Sequence, residues 1–221
     1  MKAIFHSMEQ RSPEWYKIRE GKVTASNIVS ILGELTTKTG KPNLTTQKAI
    51  DNMAIEKAIE QVHGMIENDF VSYDMQRGID NEPSAFQLFK DKIELEFLEV
   101  EQVGFVTYGE NMGCSPDGIV SNGDNLEIKC PNAKNFFKLQ ITDEIDEKHI
   151  AQMQMQMLCT DAKRCHYFAY LVHSGKEYTY HKIIERDEAM MELIMERVIM
   201  VAELKNTYIK KLTSINTITP H

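Results

Sequence analysis

Nothing in this 221-residue sequence is apolar for long enough to cross a bilayer, and no charged-then-apolar leader opens it. A soluble, cytoplasmic protein is therefore expected. Cysteine is sparse. Cys114, Cys130, Cys159 and Cys165 contain no C-x-x-C pair, so neither a zinc site nor a disulfide framework is indicated. An iron–sulfur cluster would need all four thiolates to converge, whereas Cys130 falls on the buried side of an expected strand. Basic residues are in deficit, 25 Lys and Arg against 33 Asp and Glu, for a net charge of −8 and a pI near 5.4. That balance argues against a general nucleic-acid coat, which is usually basic. It leaves room for an enzyme whose acids gather round cations and whose lysines gather at one groove. Repeats, low-complexity tracts and Pro/Ser-rich linkers are also missing, and the length suits one domain over 1–221 with a sizeable core.

What the chain does contain is concentrated near its middle. Cys114-Ser115-Pro116-Asp117-Gly118 precedes Leu126-Glu127-Ile128-Lys129-Cys130-Pro131. On an extended strand Glu127 and Lys129 share one face, while Ile128 and Cys130 face the other way and suit a core. Two carboxylates and an ammonium on one rim meet the needs of divalent-metal phosphodiester hydrolysis. The acids hold Mg²⁺, the metal makes hydroxide available near neutral pH, and the lysine positions the attacking water or steadies phosphate charge. This is the pattern of the PD-(D/E)xK nucleases. Gly113 and Gly118 bracket the first acid, Gly123 supplies a turn, and Ile119-Val120 with Leu126–Ile128 read as a hairpin.

The N-terminal part, about 11–93, reads as helical. Ser12-Pro13-Glu14 opens a helix that Gly21 stops, and Thr24 caps a short one running to Leu32. A loop over Lys38–Asn43 leads to helices over Thr46–His63 and Tyr73–Ile93. The nuclease core, about 94–186, begins with strands over Leu95–Val100, Val103–Tyr108, Gly113–Val120 and Asn125–Cys130. Helices over Asn132–Gln140 and Lys148–Thr160 follow, then strands over Cys165–Val172 and Tyr178–Ile184. A last helix covers about 187–210, with Met191, Ile194, Val198, Val201, Leu204 and Tyr208 as its apolar stripe. The implied class is α/β, a mixed sheet flanked by helices around a restriction-endonuclease-like core. Ala151–Met157 alternates like a strand, but Ala, Gln and Met all favour helix; a Met-lined core helix with solvated glutamines is expected.

Several ordered motifs together resemble the YqaJ-like viral recombinase family, the lambda-exonuclease-like branch of the PD-(D/E)xK superfamily. They are Trp15-x-x-x-Arg19, Thr24-Ala25-Ser26, Gly78-x-x-x-Glu82-x-x-Ala85, the two central motifs, Ala151-Gln152-x-Gln154, Tyr167-Phe168-Ala169 and Ile184-Glu-Arg-Asp-Glu188. The resemblance implies a processive 5′→3′ exonuclease on linear duplex DNA, releasing 5′-mononucleotides and leaving 3′ single strands. It implies two Mg²⁺ per site, with Mn²⁺ able to substitute. Asp117 would bridge them, Glu127 and the Ile128 carbonyl would complete one site, and Glu82 would hold the other. Lys129 and Gln152 would serve the nucleophile. Arg19, Ser26 and Ser115 would grip the 5′-phosphate. The resemblance further implies a homotrimeric ring, a single-strand annealing partner and a phage or prophage origin.

Considered alone, Glu82 has two readings. It shares a helical face with Ile79, Phe86 and Phe89, where an acid is costly unless it is paired or ligates metal. Alternatively Pro83 makes it a helix cap. Trp15, the single tryptophan, reads as a core anchor. Two other functions remain open: a restriction- or repair-type endonuclease on the same core, and a silent DNA-end-binding subunit. Intact Asp117, Glu127 and Lys129 speak against the last.

Overall fold

A computed structural model describes residues 2–64 and 72–214; the remaining parts of the expected 1–221 domain lie outside the described residues. Two mixed sheets are flanked by six α-helices and one 3-10 helix among those residues. The four-stranded sheet is built from β1 (Ala3–His6), β2 (Val23–Thr24), β4 (Phe105–Tyr108) and β5 (Met112–Cys114), in the order β1-β4-β5-β2. The five-stranded sheet takes β3 (Val100–Glu101), β6 (Gly118–Val120), β7 (Asn125–Lys129), β8 (Arg164–His173) and β9 (Lys176–Glu185), in chain order. Among the described residues only β2–β5 and β7–β8 pair in parallel. No helix among the described residues is long and apolar enough to span a membrane.

The helices start where their caps stand. Ser12 and Asn132 each accept a backbone N–H at the start of α1 (Pro13–Arg19) and α4 (Ala133–Thr142). Thr24 and Asn27 form a capping box, yet the turn they open, Ala25–Ile31, winds as a 3-10 helix. The long helices α2 (Leu44–His63) and α6 (Glu188–Ser214) pack together, burying Ile50, Ala54 and Ala58 on one and Met191, Ile194 and Val198 on the other. Between α3 (Tyr73–Glu94) and the five-stranded sheet lies a second core of Phe89, Leu126, Ile128, Phe168 and Tyr170. The opposite face of β8, from Cys165 to Leu171, joins the main core with α5 (Glu147–Thr160). That helix also packs on the 3-10 helix, β4 and β5, so it lies between the sheets.

Several expectations need correction. The expected strand Gly113–Val120 is two strands in different sheets, with Ser115-Pro116-Asp117 crossing between them. Proline has no N–H to give a ladder, and the chain leaves the first sheet there. Leu95–Leu98 is a turn: Leu95 and Phe97 are exposed and Phe97 has φ +59°, so pairing begins only at Val100. The strands β1 and β2 were not foreseen. Pro83 lies inside α3, whose cap is Ser72, so Glu82 is no cap. Gln154 and Gln156 are buried rather than solvated. All four cysteines are free, with Cys130 beside the second core and the other three in the main one.

Candidate active site

The crossing at Ser115–Asp117 and the end of β7 open onto a cleft of about 980 Å³. Asp117 extends the β6–β7 hairpin, its N–H donating to the Leu126 carbonyl at 3.0 Å, while its Oδ2 accepts the Ile128 N–H at 2.6 Å. The carboxylate is thereby held across the strand that carries Glu127 and Lys129. Those two do share a face, and Lys129 Nζ donates to Glu127 Oε1. Glu127 is buried, at 1% exposure, and its Oε2 accepts from Gln156 Nε2 at 2.6 Å. Lys129 also reaches Gln152 Oε1 at 3.3 Å, one helical turn away from Gln156 on α5. Glu82 comes from α3 and is held by Arg11 Nη2 at 2.7 Å.

The electrostatics are those of crowded carboxylates. Burial, then the Glu127 carboxylate, pushes the Asp117 carboxyl well above its usual range, and Glu82 adds to this. Burial alone would lower the Lys129 ammonium, but Glu127 and Asp117 outweigh it and raise its pKa. His149, one turn before Gln152, falls to about 3 through burial and the neighbouring Lys129 and Lys148 cations. It is therefore neutral at ordinary pH, within 3.4 Å of the Tyr167 hydroxyl.

Another part of the cleft wall is built on Trp15. Its Nε1 donates to the Ser115 hydroxyl at 2.8 Å and to the Gly104 carbonyl at 3.0 Å. The Arg19 guanidinium stacks 3.9 Å from its ring centroid. Burial lowers the Arg19 pKa to about 10, with Glu60 opposing, and the side chain forms no ion pair among the described residues. Ser26, exposed, sits 3.3 Å from the Thr24 hydroxyl. Trp15 is thus a support for the cleft wall, half-buried, and not the core anchor expected of it. Every expected site residue lines this one cleft: Glu82, Asp117, Glu127, Ile128, Lys129 and Gln152 around the acids, and Arg19, Ser26 and Ser115 around the indole.

The YqaJ-like viral recombinase domain model matches residues 14–163. The chain belongs to the YqaJ-like viral recombinase family. Among solved structures, LHK-Exo, an alkaline exonuclease from Laribacter hongkongensis, is 30% identical, covering 91% of this chain and 96% of its own, with a TM-score of 0.73. LHK-Exo in complex with dAMP gives 28% identity, 93% and 100% coverage, and a TM-score of 0.72. A phage-related exonuclease from Haemophilus somnus 129PT shares the fold at 19% identity, 86% and 96% coverage, and a TM-score of 0.61. No curated protein is significantly similar to the chain. The fold is thus of the PD-(D/E)xK type, and the likeness to LHK-Exo covers more of this YqaJ-like protein than residues 14–163 alone.

Among the described residues no three His, Cys, Asp or Glu side chains stand at distances that would hold a metal ion. The reason is visible: Glu82 is turned to Arg11, and Glu127 to Lys129 and Gln156. The donor set nonetheless fits a hard divalent cation. It is all oxygen, and Asp117 is disfavoured as a carboxylate by burial and then by the neighbouring Glu127 carboxylate, a charge that a cation would offset. Sequence reading missed Arg11, His149, Gln156 and Tyr167 as cleft residues. Arg11 carried one faint sign, its place next to the Ser12 cap, where it adopts φ +68°.

Proposed function

We propose that this YqaJ-family protein is a divalent-metal-dependent nuclease that digests linear duplex DNA from 5′ ends, releasing 5′-mononucleotides and leaving 3′ single strands for annealing recombination. The observation that carries the reading is the convergence of two residue sets, acids with Lys129 and Arg19 with two serines, on the lining of one cleft. Membership of the family and the likeness to exonucleases support it. Asp117, Glu82, Glu127 and the Ile128 carbonyl would hold two Mg²⁺, with Mn²⁺ able to substitute. When bound, the metal supplies a hydroxide-like nucleophile and a counter-charge for phosphate.

The chain's own residues do the rest. The backbone N–H of Ile128 fixes the Asp117 carboxylate, and Lys129 with Gln152 present donors and acceptors to the attacking water. Arg19, stiffened by Trp15 and without a carboxylate partner among the described residues, offers a bidentate edge to a terminal phosphate, with Ser26 and Ser115 beside it. That pocket shares the cleft with the acids, as removal of one nucleotide at a time requires. The reading extends to a single cytoplasmic domain over 1–221, a homotrimeric ring around duplex DNA and an annealing-protein partner. A ring reconciles a net charge of −8 with retention on DNA, since a few lysines per subunit, such as Lys38, Lys41 and Lys48, can face one channel. The test is twofold: a solution mass of three subunits, and degradation of one molecule continuing after excess competitor DNA is added. A monomer arrested at once by competitor contradicts the ring.

A further inference from the structure

Gln156 is fully buried on α5, between Met155 and Met157. It is a glutamine with an uncomfortable amide. Nε2 donates to Glu127 Oε2 at 2.6 Å and approaches the Ser115 carbonyl at 3.5 Å. Oε1 is buried with no hydrogen-bond partner among the described residues. Turning the amide over would aim that oxygen at the Glu127 carboxylate, so the donor to Glu127 fixes the orientation and the unpaired oxygen is its consequence. The helix is also clamped to the strand at this level. Thr160 Oγ1 donates to the Gln156 carbonyl at 2.9 Å and meets Asn125, two residues before Glu127 on the same face of β7, at 2.9 and 3.1 Å. By contrast, Gln154 faces the other way and ties the Glu185 carbonyl to the Asp187 N–H, at 2.8 Å each.

We propose that Gln156 is the positioning residue for Glu127. It holds Oε2 from behind, so that Oε1, the oxygen facing Lys129, is the one presented to the cleft. The inference rests on the metal reading above, and assigns Gln156 the part that outer partners of ligating carboxylates play in setting metal affinity.

The test is Mn²⁺ binding to the full-length, DNA-free protein, followed by electron paramagnetic resonance, together with the Mg²⁺ concentration giving half-maximal digestion. Gln156→Met should weaken Mn²⁺ binding and raise the Mg²⁺ requirement by about 10- to 100-fold. Gln156→Leu removes the same donor with a different shape and repeats the measurement if the first variant folds poorly. Gln154→Met is the control for a merely structural role: it should lower thermal stability and leave Mn²⁺ affinity as in wild type. Glu127→Gln should lose the tighter Mn²⁺ binding. If Gln156→Met stays within about threefold of wild type while Glu127→Gln loses binding, the inference is overturned and the metal reading stands. Equal weakening by Gln154→Met and Gln156→Met also overturns it. Unchanged binding in Glu127→Gln overturns the metal reading, and the inference with it.

Discussion

Replacing Asp117 by asparagine separates catalysis from folding more sharply than any other change. In the folded chain one carboxylate oxygen accepts the Ile128 N–H at 2.6 Å, and an asparagine oxygen can do the same. The negative charge is what disappears. Because burial and Glu127 already disfavour that charge, the metal-free Asp117→Asn protein should be at least as stable as wild type. Asp117→Ala instead strands the Ile128 N–H, at a cost of about 1–3 kcal/mol. Both variants lose the carboxylate expected to bind both cations. If that charge stabilisation is worth about 4 kcal/mol in the transition state, turnover falls by about a thousandfold in each. Thermal melting and single-turnover release of nucleotide from a phosphorylated duplex measure the two effects on the same samples. The reasoning is refuted if Asp117→Asn melts below Asp117→Ala, or if either keeps more than about a tenth of wild-type turnover.

Lys129→Ala should be nearly inactive yet retain DNA binding in a gel-shift assay, since it removes the group that bridges Glu127 and Gln152 and not the phosphate-facing end. Duplexes with a 5′-phosphate should be digested faster than those with a 5′-hydroxyl, and Arg19→Ala should shrink that difference; equal wild-type rates on both ends would remove the phosphate pocket. Outside the cleft lining, His181 packs against His166 and Lys92, with its pKa lowered to about 4 by burial and then by the Lys92 ammonium, from an unfolded value of 6.5. The unfolded chain therefore binds the extra proton first, so stability contributed by neutral His181 is complete above pH 6.5 and is lost as pH falls toward 4. His181→Gln should flatten the melting temperature over that window; an unchanged slope would count against the assignment.

The parts of this molecule legible in sequence were those with local causes. The cap at Ser12, the stop after α2 at Gly64 and the apolar stripe of α6 are written within a few residues of where they act. The acid–lysine face of β7 is equally local, since alternation alone puts Glu127 and Lys129 together. What escaped depends on distant partners. The strand β1 is four residues long and exists because β4 pairs with it a hundred residues on. The break at Pro116 is visible as a proline, but that the chain changes sheets there follows only from which strands pair. Gln154 and Gln156 read as solvated because an alternating Met–Gln run on a lone helix has a polar side. Both faces of α5 are in fact covered, one by β7 and β8, the other by the 3-10 helix and the first sheet. Arg19, Ser26 and Ser115 came only through family resemblance; nothing local distinguishes them, and the indole that joins Arg19 to Ser115 is a feature of the folded chain.

The most direct measurement incubates the protein and Mg²⁺ with 5′-phosphorylated linear duplex DNA beside a covalently closed circle of the same sequence, with a chelator in parallel. The account predicts that the linear duplex is consumed to 5′-mononucleotides and 3′ single strands, that the circle is untouched, and that the chelator stops the reaction. Cutting of the closed circle, or digestion that continues in the chelator, would contradict it.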